Sequence, residues 1–591
     1  MSAVRLRWSA VENALLAGAL ALVALVPLVE SALRAVLHVG IPGAASLAQH
    51  CALLAGMLGA VVAAREQRLL ALSTSRAALA SVVATVVCAL LALGAAQFVL
   101  AEHGAGNSII PGLPLWLGQV ALPLGFGLMA LRFVLQLGGP WQARAAAAAL
   151  AALALAAAGR GWPLGSAALA CALATVLAGA VLGTPVFITL DGAALFLFWA
   201  DGLPIAALAL DHYRMVVNPS LPMIPLFTLT GYLLAEGGAP RRLIRVCRAF
   251  FGGLRGGAAM VTVVACVFFA AFSGASGVTI IALGGMLMPL LLGAGYSQKN
   301  ALGLLAASGS LGGLLPPGLP LVLYALVAKV SIEDMFLAGL LPGLLMAALV
   351  AAWGIACAPR DAGAERSSFD WREARSAVAG AKWELALAPV AFVALFGGFA
   401  TPVEAAALTV LYAFVVEVFV YRDLDLRRDV PRVLVECGLV IGGVLLILGV
   451  ALGLTNYLVD ARAPERMLEW ARLAISSPWQ FLLALNLLLL VAGCVLDIFS
   501  ATVVLVPLLL PLGAAFGIDP IHLGIVFLVN LELGYLTPPV GMNLFFTAYR
   551  FGRPLPEVIR AALPALAVLG IAVVLVTLFP SLATFLPRLF R

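Results

Sequence analysis

The chain has 591 residues, of which 63% are hydrophobic and only 10% charged, and its formal net charge is +6. A soluble globular domain carries about 25% charged residues, so the composition excludes an ordinary soluble fold and describes an all-α polytopic membrane protein. The positive balance comes from arginines gathered between apolar runs, which suits positive-inside topology rather than a nucleic-acid partner.

With roughly 20 apolar residues needed per crossing, about sixteen candidate spans or half-spans can be counted along the chain. Residues 1–140 read as a four-helix unit, with spans at roughly 10–37, 47–64, 78–100 and 114–136. The first is too long for a signal-peptide core and lacks a small-residue cleavage site, so it is expected to stay attached. Arg5 and Arg7 precede the first span, Arg65, Arg68 and Arg76 follow the second, and Arg132 and Arg144 flank the end of the fourth. Both ends of this unit are therefore expected in the cytoplasm, and the linkers 38–46 and 101–113 outside. Glu30 and Arg34 stand one helical turn apart and are expected to pair.

An alanine-rich segment, Ala143 to Ala158, follows between Pro140 and Gly159-Arg160-Gly161. It is long enough for one thin crossing, and residues 141–163 read as a linker helix joining two units. The larger unit, 164–591, opens with spans near 165–182 and 184–200 and an external amphipathic piece from Ile205 to Val217. Arg241, Arg242, Arg245, Arg248 and Arg255 then form a basic stretch, read as a cytoplasmic helix lying along the membrane with solvated charges.

The next stretch, SGASGVTIIALGGMLMPLLLGAGYSQKNALGLLAASGSLGGLLPPGLPL from Ser273, places hydroxyls, glycines and Pro316-Pro317 inside bilayer-grade sequence. Two adjacent prolines force an unwound joint, and broken helix at membrane depth is tolerated only where it is buried in protein or lines a site. Segments at 256–272 and 278–292 on either side of the SGAS turn predict a re-entrant hairpin, and residues 299–311 lead into the broken helix. After a span ending near Cys357, residues 359–382 form a charged loop with Arg360, Asp361, Glu365, Arg366, Asp370, Arg372, Glu373, Arg375 and Lys382. The sequence continues with 384–398, a helix start at Thr401-Pro402 where Glu404 is expected to cap, an Arg-rich loop at 422–432 and a long span at 434–458. A short amphipathic piece starts at Pro464, a second broken unit runs from Phe481 to Tyr549, and a last span lies at roughly 561–580.

The second broken unit copies the first. Pro289 maps to Pro511, Gly295 to Gly517, Gly312 to Gly534, Pro316 and Pro317 to Pro538 and Pro539, and Pro342 to Pro564, all at an offset of 222. Upstream the register slips by two, so that Ala239-Pro240-Arg241 meets Ala463-Pro464-Glu465. The two repeats span about 220–357 and 434–580. Corresponding Gly/Pro breaks in two halves point to a transporter's binding site.

The breaks gather small polar side chains: Ser273, Ser276, Thr279, Ser308 and Ser310 in the first copy, and Asp497, Ser500, Thr502, Asn530, Thr537 and Asn543 in the second. Hydroxyl, amide, carboxylate and carbonyl oxygens suit a hard cation such as Na⁺, while exposed helix N-termini favour an anionic substrate group. Asp497 is the leading single ion-site candidate, because an intramembrane carboxylate needs a partner. Glu532, near Gly534 and the second joint, competes with it, with capping or packing as its alternative. Eight cysteines scattered singly read as structural thiols, and five histidines show no metal spacing. There is no GxxxxGK[ST], HExxH or GxSxG motif, so neither an ATP engine nor a hydrolase is expected, and no cofactor beyond a coupling ion. An importer served by a receptor, a stand-alone ion-coupled anion carrier, and an embedded enzyme acting on a lipid-linked substrate are the three readings; the duplicated breaks favour transport.

IPLFTLTGYLLAEGG, SGASGVT, GLLPPGLPLVLY, VSIEDMFLAGLLPG, ATPVEAAAL, GIDPIHLGIV and GYLTPPVGMNLF resemble the large membrane subunit of the tripartite ATP-independent periplasmic (TRAP) transporters. The resemblance is strong from about 183 onward and weaker over 1–140, which would correspond to the small subunit fused through the linker. It implies an elevator-type fold with inverted repeats, two re-entrant hairpins and two broken helices, working as a single fused chain in the bacterial inner membrane. It further implies sodium-driven import of a carboxylate, such as a C4-dicarboxylate or sugar acid, delivered by a periplasmic substrate-binding protein. Sodium and substrate would be held at Ser273, Gly274, Ser276 and Thr279, at Gly312, Pro316 and Pro317, and at Gly534, Thr537, Pro538 and Asn543. Many relatives carry Asp where Thr279 stands, so this chain departs from the family pattern at one hairpin tip.

Overall fold

The structure, a computed structural model, describes residues 2–69, 71, 77–138, 141–274, 276–359, 369–398, 400–494, 496–538 and 541–590. Arg76, Pro140, Arg360, Asp361, Glu365, Arg366 and Pro539 lie outside the described residues. The described residues contain 11 helices long and apolar enough to cross a membrane, or up to 14 if each bent pair forms one span. The protein is therefore a multi-pass, predominantly helical membrane protein. It divides into two compact units, one formed by Met1–Pro225 with Pro431–Pro464, the other by Leu226–Val430 with Glu465–Arg591.

The first unit contains α1 (Ser2–Leu37), α2 (Ala44–Glu66), α3 (Ala78–Ala105), α4 (Leu115–Gln119) with α5 (Ala121–Gln136), α6 (Trp141–Gly159), α7 (Ser166–Val181), α8 (Val186–Ala200) and α9 (Ala206–Val216). Glu12 of α1 is almost fully buried and is shared by Arg65 of α2, at 2.8 Å, and Arg132 of α5, so one carboxylate ties three helices together. Glu30 accepts from the backbone of Ile41 at 2.6 Å, which holds the α1–α2 linker down. The 101–113 linker is more than a loop: it carries a short antiparallel pair, β1 (Ser108–Ile110) and β2 (Leu113–Pro114). Residues 431–464 add most of a long helix to this unit. Gly438 and Gly442, one turn apart, meet Gly59 of α2 so closely that a Cβ on Gly59 would lie 2.1 Å from the Gly438 carbonyl, and one on Gly442 2.2 Å from the Ala60 nitrogen. Small residues at such spacing let membrane helices touch through their backbones.

The second unit begins within α10 (Met223–Glu236) and continues with α11 (Ala239–Phe251), the hairpin α12 (Gly257–Ser273) and α13 (Ser276–Gly293), and α14 (Gln298–Ser308). A 3₁₀ turn at Leu311–Leu314 and the cis-linked Pro316–Pro317 separate α14 from α15 (Leu319–Ala328), with the two sides bent by 46°. Then come α16 (Ile332–Ala356), α17 (Trp371–Gly380), α18 (Lys382–Phe396) and α19 (Pro402–Val415), which ends in a π-helical turn at Val416–Val420. The charged 359–382 segment is thus a loop only in its first part, because 371–380 forms an amphipathic helix whose Ala377 packs with Val246 of α11. Thr401 and Glu404 form the expected cap as a reciprocal capping box.

The long α20 (Asp429–Asp460) and α21 (Ala463–Ala474) precede the second hairpin, α22 (Pro478–Gly493) and α23 (Ile498–Ala515). The second broken helix is α24 (Pro520–Gly534) and α25 (Met542–Phe551), followed by α26 (Leu555–Leu578). A short α27 (Ser581–Leu589) follows the last span, where the sequence suggested none. Arm helix, hairpin, broken helix and long helix therefore recur in the same order in both halves of the sequence.

Replacing Gly442 by Ala is expected to lower stability by about 1–3 kcal/mol through overpacking. Gly443, where a Cβ meets nothing within 4 Å, is the control: Gly443→Ala should leave the unfolding midpoint in detergent unchanged, while Gly442→Ala lowers it.

Candidate ion and substrate binding site

Each break exists because the sequence denies the helix its next hydrogen bonds. Pro316 and Pro317 have no N–H to give, and the chain closes short turns instead, Gly313 N to Ser310 O at 2.9 Å and Gly318 N to Leu315 O at 2.7 Å. In the second copy Thr537 N bonds Gly534 O at 2.9 Å, and Asn543 N returns to Tyr535 O at 3.1 Å. Each hairpin packs on the break of its own copy. Gly312 lies against Ala271 of α12, where a Cβ would come within 2.4 Å of the backbone nitrogen. Gly534 lies against Gly493 of α22, where a Cβ would come within 2.6 Å of the Gly493 Cα.

The breaks also reach each other. Asn543 donates through Nδ2 to the carbonyl of Ala306 near the end of α14, at 3.0 Å. Glu532 on α24 directs Oε1 at Gly313, into space that a Cβ there would fill at 2.5 Å. Around this junction several fully or almost fully buried oxygens have no hydrogen-bond partner among the described residues: Ser308 Oγ, Glu532 Oε2, Asn543 Oδ1 and Thr547 Oγ1. Buried polar groups are nearly always paired, so such a set on adjoining elements makes this junction the candidate ligand site. The 222-residue offset superposes Ser308 and Ser310 on Asn530 and Glu532, so the residues just before each break are polar at the same two positions.

The other candidates divide by what they already bond. Ser273 and Thr279, both fully buried at the first hairpin tip, bring their hydroxyls within 3.1 Å of each other beside Gly274. Ser276 starts α13 at the same tip. Asp497 is the N-cap of α23: Oδ2 accepts from the backbone of Phe499 at 3.0 Å and Ser500 at 3.1 Å, and Oδ1 from the Ser500 hydroxyl. Thr502 and Thr537 bond back to Ile498 and Leu533, four residues earlier in the chain, at 2.6 and 3.0 Å. Asn530 turns to Val526 and Asn486, and Asn486 bonds Thr577, which forms a polar network linking α22, α24 and α26. Pro538 belongs to the second break, as Pro316 and Pro317 do to the first. Thr547, one turn along α25 from Asn543, has no warning in the sequence beyond that spacing.

The family profile described as Tripartite ATP-independent periplasmic transporter, DctM component, matches residues 173–582, and the DctQ component profile matches residues 23–143. The chain belongs to the TRAP transporters. This TRAP permease carries both membrane components in one polypeptide. It is similar to the C4-dicarboxylate TRAP transporter large permease protein DctM of Vibrio cholerae, 34% identical over 444 residues, which cover 71% of this chain and 98% of that one. The isethionate TRAP transporter permease protein DctMQ of Oleidesulfovibrio alaskensis is 32% identical over 480 residues, covering 80% and 75%. The ectoine TRAP transporter large permease protein TeaC of Halomonas elongata is 31% identical over 417 residues, covering 70% and 97%. These relatives are permeases and not enzymes.

The geometry separates two roles for Asp497 in this TRAP permease. Asp497→Ala removes a cap and is expected to cost about 1 kcal/mol of stability. Asp497→Asn keeps the cap acceptor, so its thermal midpoint should match the parent; sodium-dependent uptake lost in the Asn variant at that unchanged midpoint would show the carboxylate acting on an ion as well.

Proposed function

We propose that this TRAP permease imports a small organic anion by symport with sodium, taking it from a periplasmic substrate-binding protein. The observation that carries this is the set of unpaired buried oxygens where two helix breaks meet. They are hydroxyl, amide and carboxylate oxygens, the donors that hard cations take. Sodium bound there would bring positive charge beside the helix starts at Leu319 and Met542, whose positive dipole ends favour an anion. Cation and anion then each lower the cost of burying the other, which is the physical basis of symport.

A carboxylate substrate is the preferred class, in line with relatives named for C4-dicarboxylate transport; a relative named for isethionate extends the class to a sulfonate. The hairpins and breaks form one packed body suited to moving its cargo across the bilayer as a unit, by an elevator movement. Residues 1–140 would serve as the small-subunit scaffold, 141–163 as the linking crossing and 164–591 as the large-subunit permease. The N-terminus would lie in the cytoplasm, as the arginines flanking the first spans favour.

Reconstituted protein supplied with a candidate receptor and an imposed sodium gradient should accumulate substrate. Glu532→Gln, which keeps size and hydrogen bonding but removes the charge, should reduce sodium-driven uptake at least about tenfold, a change of about 1.4 kcal/mol. Uptake that ignores the sodium gradient in the parent would overturn the symport reading.

A further inference from the structure

A second group of buried charges lies in the permease unit, at the start of α11. The sequence suggested that the arginines there are solvated, but Arg242 is the hub of an ion cluster. Its Nε donates to Glu384 Oε1 on α18, its Nη1 to Asp423 Oδ2 at 2.6 Å and its Nη2 to Glu417 Oε2 in the π-helical turn at 3.3 Å. The guanidinium carbon lies over the Tyr421 ring, 3.7 Å from its centre. The N–H of Gly238, the N-cap of α11, donates to Glu417 Oε2 at 3.3 Å and Asp423 Oδ2 at 3.1 Å. A Cβ on Gly237 would fall 2.2 Å from Glu417 Oε2, so the carboxylate occupies the room that glycine leaves.

The charges do not balance. Three carboxylates face one guanidinium, and a helix N-terminus adds only about half a positive charge. The side chains of Glu384 and Glu417 are fully buried, whereas Arg242 and Asp423 keep 20% and 30% of theirs exposed. Glu417 Oε1 has no hydrogen-bond partner among the described residues. The facing groups are Arg242 from α11, Glu384 from α18, Glu417 from the π-helical turn and Asp423 from the loop after it, with the neutral phenols of Tyr412 and Tyr421 alongside. Arg245 is engaged by Glu373 at 2.9 Å, and Lys382 lies over the Trp383 ring. Buried carboxylates without a counter-charge are strongly unfavourable, and the described residues hold no group of three or more acidic, His or Cys side chains placed to bind a metal.

We propose that this cluster is a proton-binding site, in which Glu417 holds one proton at neutral pH. With the proton in place, the remaining two carboxylates are nearly matched by Arg242 and the α11 N-terminus. Without it, a buried negative excess pushes the acids of α18 and the π-helical turn apart and loosens the start of α11. That helix leads directly into the hairpin whose tip holds Ser273. Proton occupancy therefore sets how firmly the arm carrying the first hairpin is held, a control separate from sodium symport and independent of it.

The test uses the full chain in lipid nanodiscs, followed by thermal unfolding and infrared spectroscopy across the neutral pH range. The folded protein holds a proton that the unfolded chain releases, so the parent's unfolding midpoint should fall as pH rises through neutrality. Glu417→Gln should flatten this fall and remove a protonated-carboxyl stretching band. Should that variant fail to fold, Asp423→Asn at the exposed rim removes one like charge while keeping an acceptor for Arg242. The proton is then held less tightly, and the fall should end at lower pH. Profiles and carboxyl bands that coincide in the parent and every foldable variant would overturn the proposal.

Discussion

A helix that stops at membrane depth strands backbone groups where no water can reach them, and the permease unit is arranged around closing two such gaps against each other. Ala306 lies among the last four residues of α14, whose carbonyls outrun the donors of their own helix. Asn543, at the start of α25 after the second break, supplies the missing donor. One copy of the repeat thus completes the other. The side-chain oxygens left unpaired there among the described residues can rearrange around a ligand without unravelling a helix.

The same constraint distinguishes two carboxylates that look alike in sequence. Asp497 and Glu532 both stand in long apolar runs of the second copy. Asp497 falls at a helix start, where free N–H groups and the Ser500 hydroxyl engage both of its oxygens. Glu532 falls inside α24, where every N–H is already used by the helix, and one of its oxygens is left without a partner. Asp497 is closed on its own helix, whereas Glu532 keeps one oxygen open beside a glycine. Residue type and apolar context raise both as candidates, and only their position relative to a helix terminus separates them.

Much of the architecture was legible because glycine and proline act locally. The hairpin turn at Gly274, the joints at Pro316 and Gly534 and the cap at Thr401 all follow from what those residues forbid or favour within one turn of the chain, and each lies where the sequence places it. The charge clusters were not legible, because their partners lie far apart along the chain. Arg242 meets acids 142, 175 and 181 residues away, and a basic stretch between apolar runs gives no sign of them. Asn530 shows the same dependence: its Nδ2 donates to Asn486, 44 residues earlier, a partner that its place before the joint does not announce. Local chemistry predicts breaks and caps, while the pairing of charges depends on which helices the fold brings side by side.

This difference has a consequence for how alike the two repeats are. Their hairpins and joints correspond residue by residue, but the arm helices leading into them do not. In the register that aligns Ala239 with Ala463, Arg242 corresponds to Arg466 of α21, which is exposed, and most of α21 is exposed with it. The first arm is held at its start by three carboxylates and a glycine N–H, whereas the second turns through 118° into its hairpin. The two hairpins thus correspond while the arms that lead into them do not, because buried charge gathers at the start of the first arm and not at the second.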